Sequence, residues 1–163
     1  MMRWAAILVA VLWSGQAIAL DPPKGEVILI VDGAIAERNS DAGAAFDLAL
    51  LDGLPQHEFT TVNSFVSKPT RFSGVLVKDL AQAVGATGAT IRVQALNDYR
   101  VDIPLADADL VPVLLVTRVD GQPMPVRAKG PTWIVYRLDD RPDLRGPDTD
   151  ARMPWQIQRI TFR

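Results

Sequence analysis

The sequence predicts a single α+β domain built mainly on β-sheet. Short runs that are β-branched or alternate between apolar and polar residues recur along the chain, separated by Gly, Pro, Asn and Asp punctuation, and only two or three segments show helical spacing. About 144 residues follow the first 19, enough for one real core and too few for two comfortable ones. The count is seven to nine short strands against two or three short helices.

Met1-Met2-Arg3 precedes an apolar run from Trp4 to Trp13, then Ser14-Gly15-Gln16 and the small-residue pattern Ala17-Ile18-Ala19. This is a charged n-region, an h-region and an A-x-A site, so residues 1–19 read as a secretory signal peptide and residues 20–163 as the exported domain. A membrane span needs ~20 apolar residues, and this run is broken before that. An uncleaved anchor is the other reading.

Leu20 to Gly25 is a proline-stiffened lead-in, and Glu26 to Val31 is a buried strand ended by Asp32-Gly33. Ile35 to Ala45 is weakly patterned. Phe46 to Pro55 looks like a short helix, with Asp47 near its start and Gly53-Leu54-Pro55 closing it. His57 to Val62 alternates as a strand and enters Asn63 to Pro69, read as a polar loop with one large aromatic, Phe65. Thr70 to Val75 is the next strand. Leu76, Leu80, Ala83 and Val84 then give one apolar helical face, stopped by Gly85.

Thr90 to Leu96 alternates, Asn97-Asp98 turns the chain, and Tyr99, Val101 and Ile103 return on one face. Asp107 and Asp109 lie in a short helical turn. Val113 begins a strand after Pro112, which suits a strand start or an edge. Asp120-Gly121 is a tight turn, three prolines stiffen the arm that follows, and Trp133 to Tyr136 is a strand. Arg137 to Arg152 lacks apolar periodicity and reads as a long ordered loop or short edge element, whose opposite charges pair in solvent. Trp155 to Phe162 closes the domain as a strand.

Sixteen Lys and Arg against 19 Asp and Glu after residue 19 exclude a bulk nucleic-acid binder, and no basic membrane-binding face is marked. There is no cysteine, so neither a disulfide framework nor a thiolate is available. Neither of the glycine-rich phosphate cradles occurs, and His57 is the one histidine. It reads as a strand-edge residue rather than a catalytic or metal-binding one. Carboxylate pairs such as Asp98 and Asp102 carry no sign of the burial that tunes acid–base groups. No catalytic constellation stands out.

The arm from Thr117 to Tyr136 is where contact with a flat ligand is expected, because proline limits the entropy lost on ordering it and two cations stand beside aromatics. An ordinary hairpin with a solvated basic loop and a core tryptophan accounts for the same residues.

Thr70 to Leu80, then Ala95 to Pro104, then Asp120 to Pro125 with Lys129-Gly130-Pro131, together resemble the molybdopterin-binding domain of the sulfite oxidase superfamily, with Trp155 to Ile160 as its terminal strand. The resemblance covers most of residues 58–162 and implies that fold. Catalytic members hold molybdenum through a cysteine in the loop after the strand equivalent to His57–Val62. This chain has Thr60-Thr61-Val62-Asn63-Ser64-Phe65 there. The sequence is more similar to the periplasmic pterin-binding, PruR-like subgroup. That resemblance implies a non-catalytic protein that binds pterin as a ligand, with no catalytic cofactor and no metal, and relays it to the periplasmic part of a membrane receptor that makes and degrades cyclic di-GMP. The alternative it leaves open is a molybdopterin-dependent oxidoreductase.

A pterin needs a stacking surface and a few donors and acceptors along its 2-amino-4-oxo edge. The implied ligand-binding residues are Asn63, Phe65, Asn97, Asp98, Tyr99, Arg127, Lys129, Gly130 and Trp133, with Arg71, Arg118, Tyr136 and Trp155 in second rank. For Tyr136 and Trp155 a place in the core is the competing role, and for Asn97 and Asp98 it is turn capping. Segment 137–152 is the candidate partner surface.

Overall fold

The computed structural model describes residues 20–163. The signal-peptide reading of residues 1–19 lies outside the described residues. Among those described, no helix is long and apolar enough to cross a membrane.

Two five-stranded sheets form the domain. The first runs β2 (Ala44–Phe46), β1 (Leu29–Gly33), β10 (Ile157–Phe162), β5 (Thr90–Ala95) and β6 (Arg100–Pro104). Its β1–β10 pair is parallel and the others are antiparallel. The second holds β3 (Gln56–Asn63), β4 (Val66–Leu76) and β7 (Val113–Val119), whose far edge is shared by β8 (Gln122–Pro123) and β9 (Trp133–Tyr136). Pro112 stands just before β7, where its missing N–H costs no ladder bond, yet β7 is central rather than an edge.

The period of two sorts side chains onto two cores. Leu115, Ile134 and Val75 face inward to meet Val31, Val93 and Ile160 of the first sheet. Leu114, Val116, Trp133, Val135 and Phe72 point the other way and build a second cluster with Met124. Hence β7 and β9 are apolar on both faces, which explains the unbroken Val113–Val116 run. Gly74 sits where β4 slips register against β7, and a Cβ there would collide with the Leu115 carbonyl.

Four short helices complete the domain: α1 (Leu48–Asp52), α2 (Val77–Ala83), α3 (Asp107–Leu110) and α4 (Pro147–Ala151). Several expectations need correcting. Asn63 to Pro69 is not a loop: Ser64-Phe65 is the turn of a hairpin, and Pro69 falls at an irregularity in the β3–β4 ladder where no donor is required. The weakly patterned stretch ends in β2, a three-residue strand too short to show a period. Segment 137–152 is not bare loop but contains a 3-10 turn at Pro142–Leu144 and α4, each started by a proline, the residue that suits a first helical position.

Candidate functional site

One cavity of about 300 Å³ gathers residues from three separated stretches of the chain. Phe65 comes from the β3–β4 turn, Ala95, Asn97 and Tyr99 from the β5–β6 turn, and Asp150 to Trp155, except Arg152, from the end of α4 and the lead-in to β10. The volume is at the lower end of small-molecule pockets, ~300–1,000 Å³. Its wall is mostly apolar, with Asn97, Tyr99 and Asp150 as the polar side chains.

Hydrogen bonds to the backbone hold the three stretches in place. The Met153–Ile157 wall is fastened along β9: Trp133 Nε1 donates to the Met153 carbonyl at 3.1 Å, Ile134 N to Pro154 at 3.0 Å, and Ile157 N to Thr132 at 3.2 Å. The β5–β6 turn is tied to the same wall by Leu96 N donating to Gln156 at 2.8 Å and the Tyr99 hydroxyl to Ala151 at 3.0 Å. At the hairpin tip the Phe65 N–H donates to Asn63 Oδ1 at 2.9 Å, and Arg145 Nη1 donates to the Val62 carbonyl at 3.0 Å. A pocket held this way loses little freedom when a ligand enters.

Phe59, Phe65, Phe72, Trp133 and Trp155 form one contiguous aromatic group. Phe65 meets Trp155 edge-on with centroids 5.2 Å apart and Trp133 at 6.2 Å, and Trp133 meets Phe72 at 5.3 Å. Lys129 Nζ stands 5.4 Å from both indole centroids. Its backbone has φ 70°, in the left-handed region, so the ammonium is held at the indoles by a conformation that favours glycine.

Of the sequence-derived candidates, Phe65, Asn97, Tyr99 and Trp155 are brought together on the cavity wall. Lys129 lies beyond Trp155, with Gly130 next to it, where a Cβ would strike the Met124 carbonyl. Trp133 takes the core place that was the competing reading rather than a ligand-contacting one: it is 2 % exposed, absent from the cavity wall, and acts as the apolar backing for Phe65 and Trp155. Burying an indole outweighs exposing it by several kcal/mol, which is why it goes inward. Asn63 is also buried; its Oδ1 caps the turn, and its Nδ2 has no partner among the described residues.

The remaining candidates stand away from the cavity. Asp98 has φ 63° in the turn and accepts from Gln94 at 3.1 Å. Arg127 is exposed on a 3-10 turn, Val126–Ala128. Arg71 lies 3.8 Å from Glu58. Arg118 forms a two-pronged pair with Asp52 at 2.5 and 2.7 Å, pinning α1 to β7. Tyr136 is core: its hydroxyl donates to Asp107 at 2.8 Å, and burial, reinforced by that carboxylate, holds the phenol well above its ordinary pKa. His57 is on the edge strand, 2.7 Å from Asp79.

Sequence reasoning missed Ala95, Asp150, Ala151, Met153 and Pro154. The signal for the last four was present. Gly146-Pro147 announces a helix start, and the apolar Met153-Pro154-Trp155 marks the point where the charged segment turns inward.

Neither a known protein family nor a curated protein matches the sequence. Among solved structures, the chain is similar to the sulfane dehydrogenase SoxCD from Paracoccus pantotrophus, at 13 % identity and a TM-score of 0.60. The match covers 82 % of this chain and 37 % of the other, so this chain corresponds to well under half of that protein. The likeness is one of fold.

Proposed function

We propose that this domain binds a pterin as a ligand, without catalysis, and relays its presence to the periplasmic part of a membrane enzyme of cyclic-di-GMP turnover. The observation that carries the binding half is the cavity. A mostly apolar wall containing Phe65 and Trp155, with Asn97, Tyr99 and Asp150 among it, suits a flat heterocycle with one hydrogen-bonding edge. The fold shared with a sulfane dehydrogenase and the resemblance of three segments to a molybdopterin-binding domain support the same ligand class.

The donor set does not fit a molybdenum centre. The chain has no thiolate, and the turn where the resemblance would place one carries Ser64 and Phe65, the latter an apolar ring in the cavity wall. Among the described residues, no three His, Asp or Glu side chains cluster as a metal site. The missing thiolate supports the binding reading over redox chemistry. For a relay, the pterin must favour one state of the receptor complex, since equal affinity for both states shifts nothing.

The test is purification of the exported protein under anaerobic conditions, followed by denaturation, oxidation, pterin fluorescence and a molybdenum assay on the same sample. Stoichiometric simple pterin without metal is expected. Molybdenum with a pyranopterin would overturn the proposal in favour of an oxidoreductase. The relay is checked by capturing solubilised membrane proteins with and without reduced pterin. It fails if cyclic-di-GMP turnover in the captured fraction is the same in both.

A further inference from the structure

The cavity has a polarity that the proposed pterin reading leaves unused. Its wall contains no Lys or Arg, and its one ionisable acid is Asp150, in the last turn of α4. Among the described residues the Asp150 carboxylate takes part in no ion pair or side-chain hydrogen bond, although Asp and Arg crowd this segment and the nearby Arg152 is engaged by Asp107 at 2.9 Å. Asp150 is half-buried. A partly buried carboxylate with no cation paired to it is matched by a ligand that brings several N–H donors.

Asn97, from the β5–β6 turn, lines the same cavity. Its Oδ1 is taken by the Tyr99 N–H at 3.2 Å, which leaves the amide NH₂ as the free donor. The Tyr99 hydroxyl, bonded to Ala151 one residue beyond Asp150, ties the turn carrying Asn97 to the end of α4. One wall therefore offers a two-oxygen acceptor and another an amide donor.

We infer that Asp150 reads the 2-amino and ring N3–H donors of the heterocycle while the Asn97 amide donates to its 4-oxo group, so the site selects a 2-amino-4-oxo ring and disfavours a phosphorylated one. The inference rests on the pterin reading and fixes the ligand's chemistry within it. A carboxylate accepts two parallel N–H bonds, and the adjacent carbonyl oxygen needs a donor, so the order of groups along that edge matches the order of partners. A phosphate brought near Asp150 would meet like charge without a cation in the wall to offset it.

The experiment titrates the full exported chain with pterin and with lumazine, which carries an oxo group in place of the 2-amino group, and follows tryptophan emission. The wild-type chain is expected to prefer pterin by roughly 10- to 100-fold, the range for a charge-assisted hydrogen bond. Asp150→Asn should bring the two affinities within about threefold by weakening pterin alone, and the exposed neighbour Asp148→Asn should keep the full preference. Equal wild-type affinity for both rings overturns the inference and leaves the pterin reading standing, as does an undiminished preference in Asp150→Asn. Binding of neither ring overturns the pterin reading, and the inference falls with it.

Discussion

At the scale of single residues, Lys129 shows how a side chain can be kept where the backbone prefers none. Its φ of 70° favours glycine, and its ammonium lies over Trp133 and Trp155. Lys129→Gly relieves the backbone and removes the cation, whereas Lys129→Ala removes the cation without the relief. We predict that the glycine variant matches the wild type within about 0.5 kcal/mol and that the alanine variant is less stable than the glycine one by about 1 kcal/mol. Urea unfolding of the three proteins checks this; an alanine variant as stable as the glycine one would remove the backbone argument. Lys129 was readable as a site neighbour because a cation beside Gly-Pro and Trp is visible in the sequence. The inward turn of Trp133 was not, since alternation along Trp133–Tyr136 says which side chains share a face and not which face is covered.

Elements are held together by a few residues that serve two neighbours at once, and Asp47 is one of them. Its Oδ1 accepts from Leu50 N at 2.8 Å and caps α1, while Oδ2 accepts from Lys24 N at 2.9 Å and Gly25 N at 2.7 Å and fastens the lead-in to β1. The Leu50 and Gly25 N–H bonds hold the carboxyl below its ordinary value of 3.8. A group whose folded pKa is lowered adds stability that is present above its unfolded pKa and is lost as pH falls through the folded one. Asp47→Asn should therefore lower the melting midpoint at neutral pH by about 5 °C, and the two midpoints should converge in acid as Asp47 becomes protonated in the folded state as well. A gap of undiminished size in acid would mean that charge is not what these N–H groups require. The sequence carried α1 plainly, with Asp47 before it and Gly53 after it. It hid the β3–β4 turn, because Asn63, Ser64, Ser67 and Lys68 have the composition of a loop although they lie in or beside a hairpin.

At the scale of the whole molecule, the α+β class and most strands follow from local alternation, but the sheet orders do not. Pairing β1 with β10 in parallel joins residues more than 120 positions apart, and no local pattern encodes that choice. The cavity has the same origin: Phe65, Asn97 and Asp150 meet only after the second sheet and the β10 lead-in are assembled. This non-local origin has a consequence for ligand binding. An occupant would contact three stretches, two of them linked at Tyr99–Ala151 and Leu96–Gln156 and the third packed against them where Phe65 meets Trp155, so the stabilisation should be shared by all three. At 100 times its dissociation constant, the proposed ligand would add about 2.7 kcal/mol to the stability of the protein. Amide exchange should then slow around Phe65, at residues 97–99 and at 150–155 together, beyond the general slowing of the most protected amides. The far edge of the first sheet at β2 and the α2–α3 face should show no such local effect. Slowing confined to a single stretch would mean that the ligand sits on one loop rather than in the cavity, and a relay driven from the cavity would lose its physical basis.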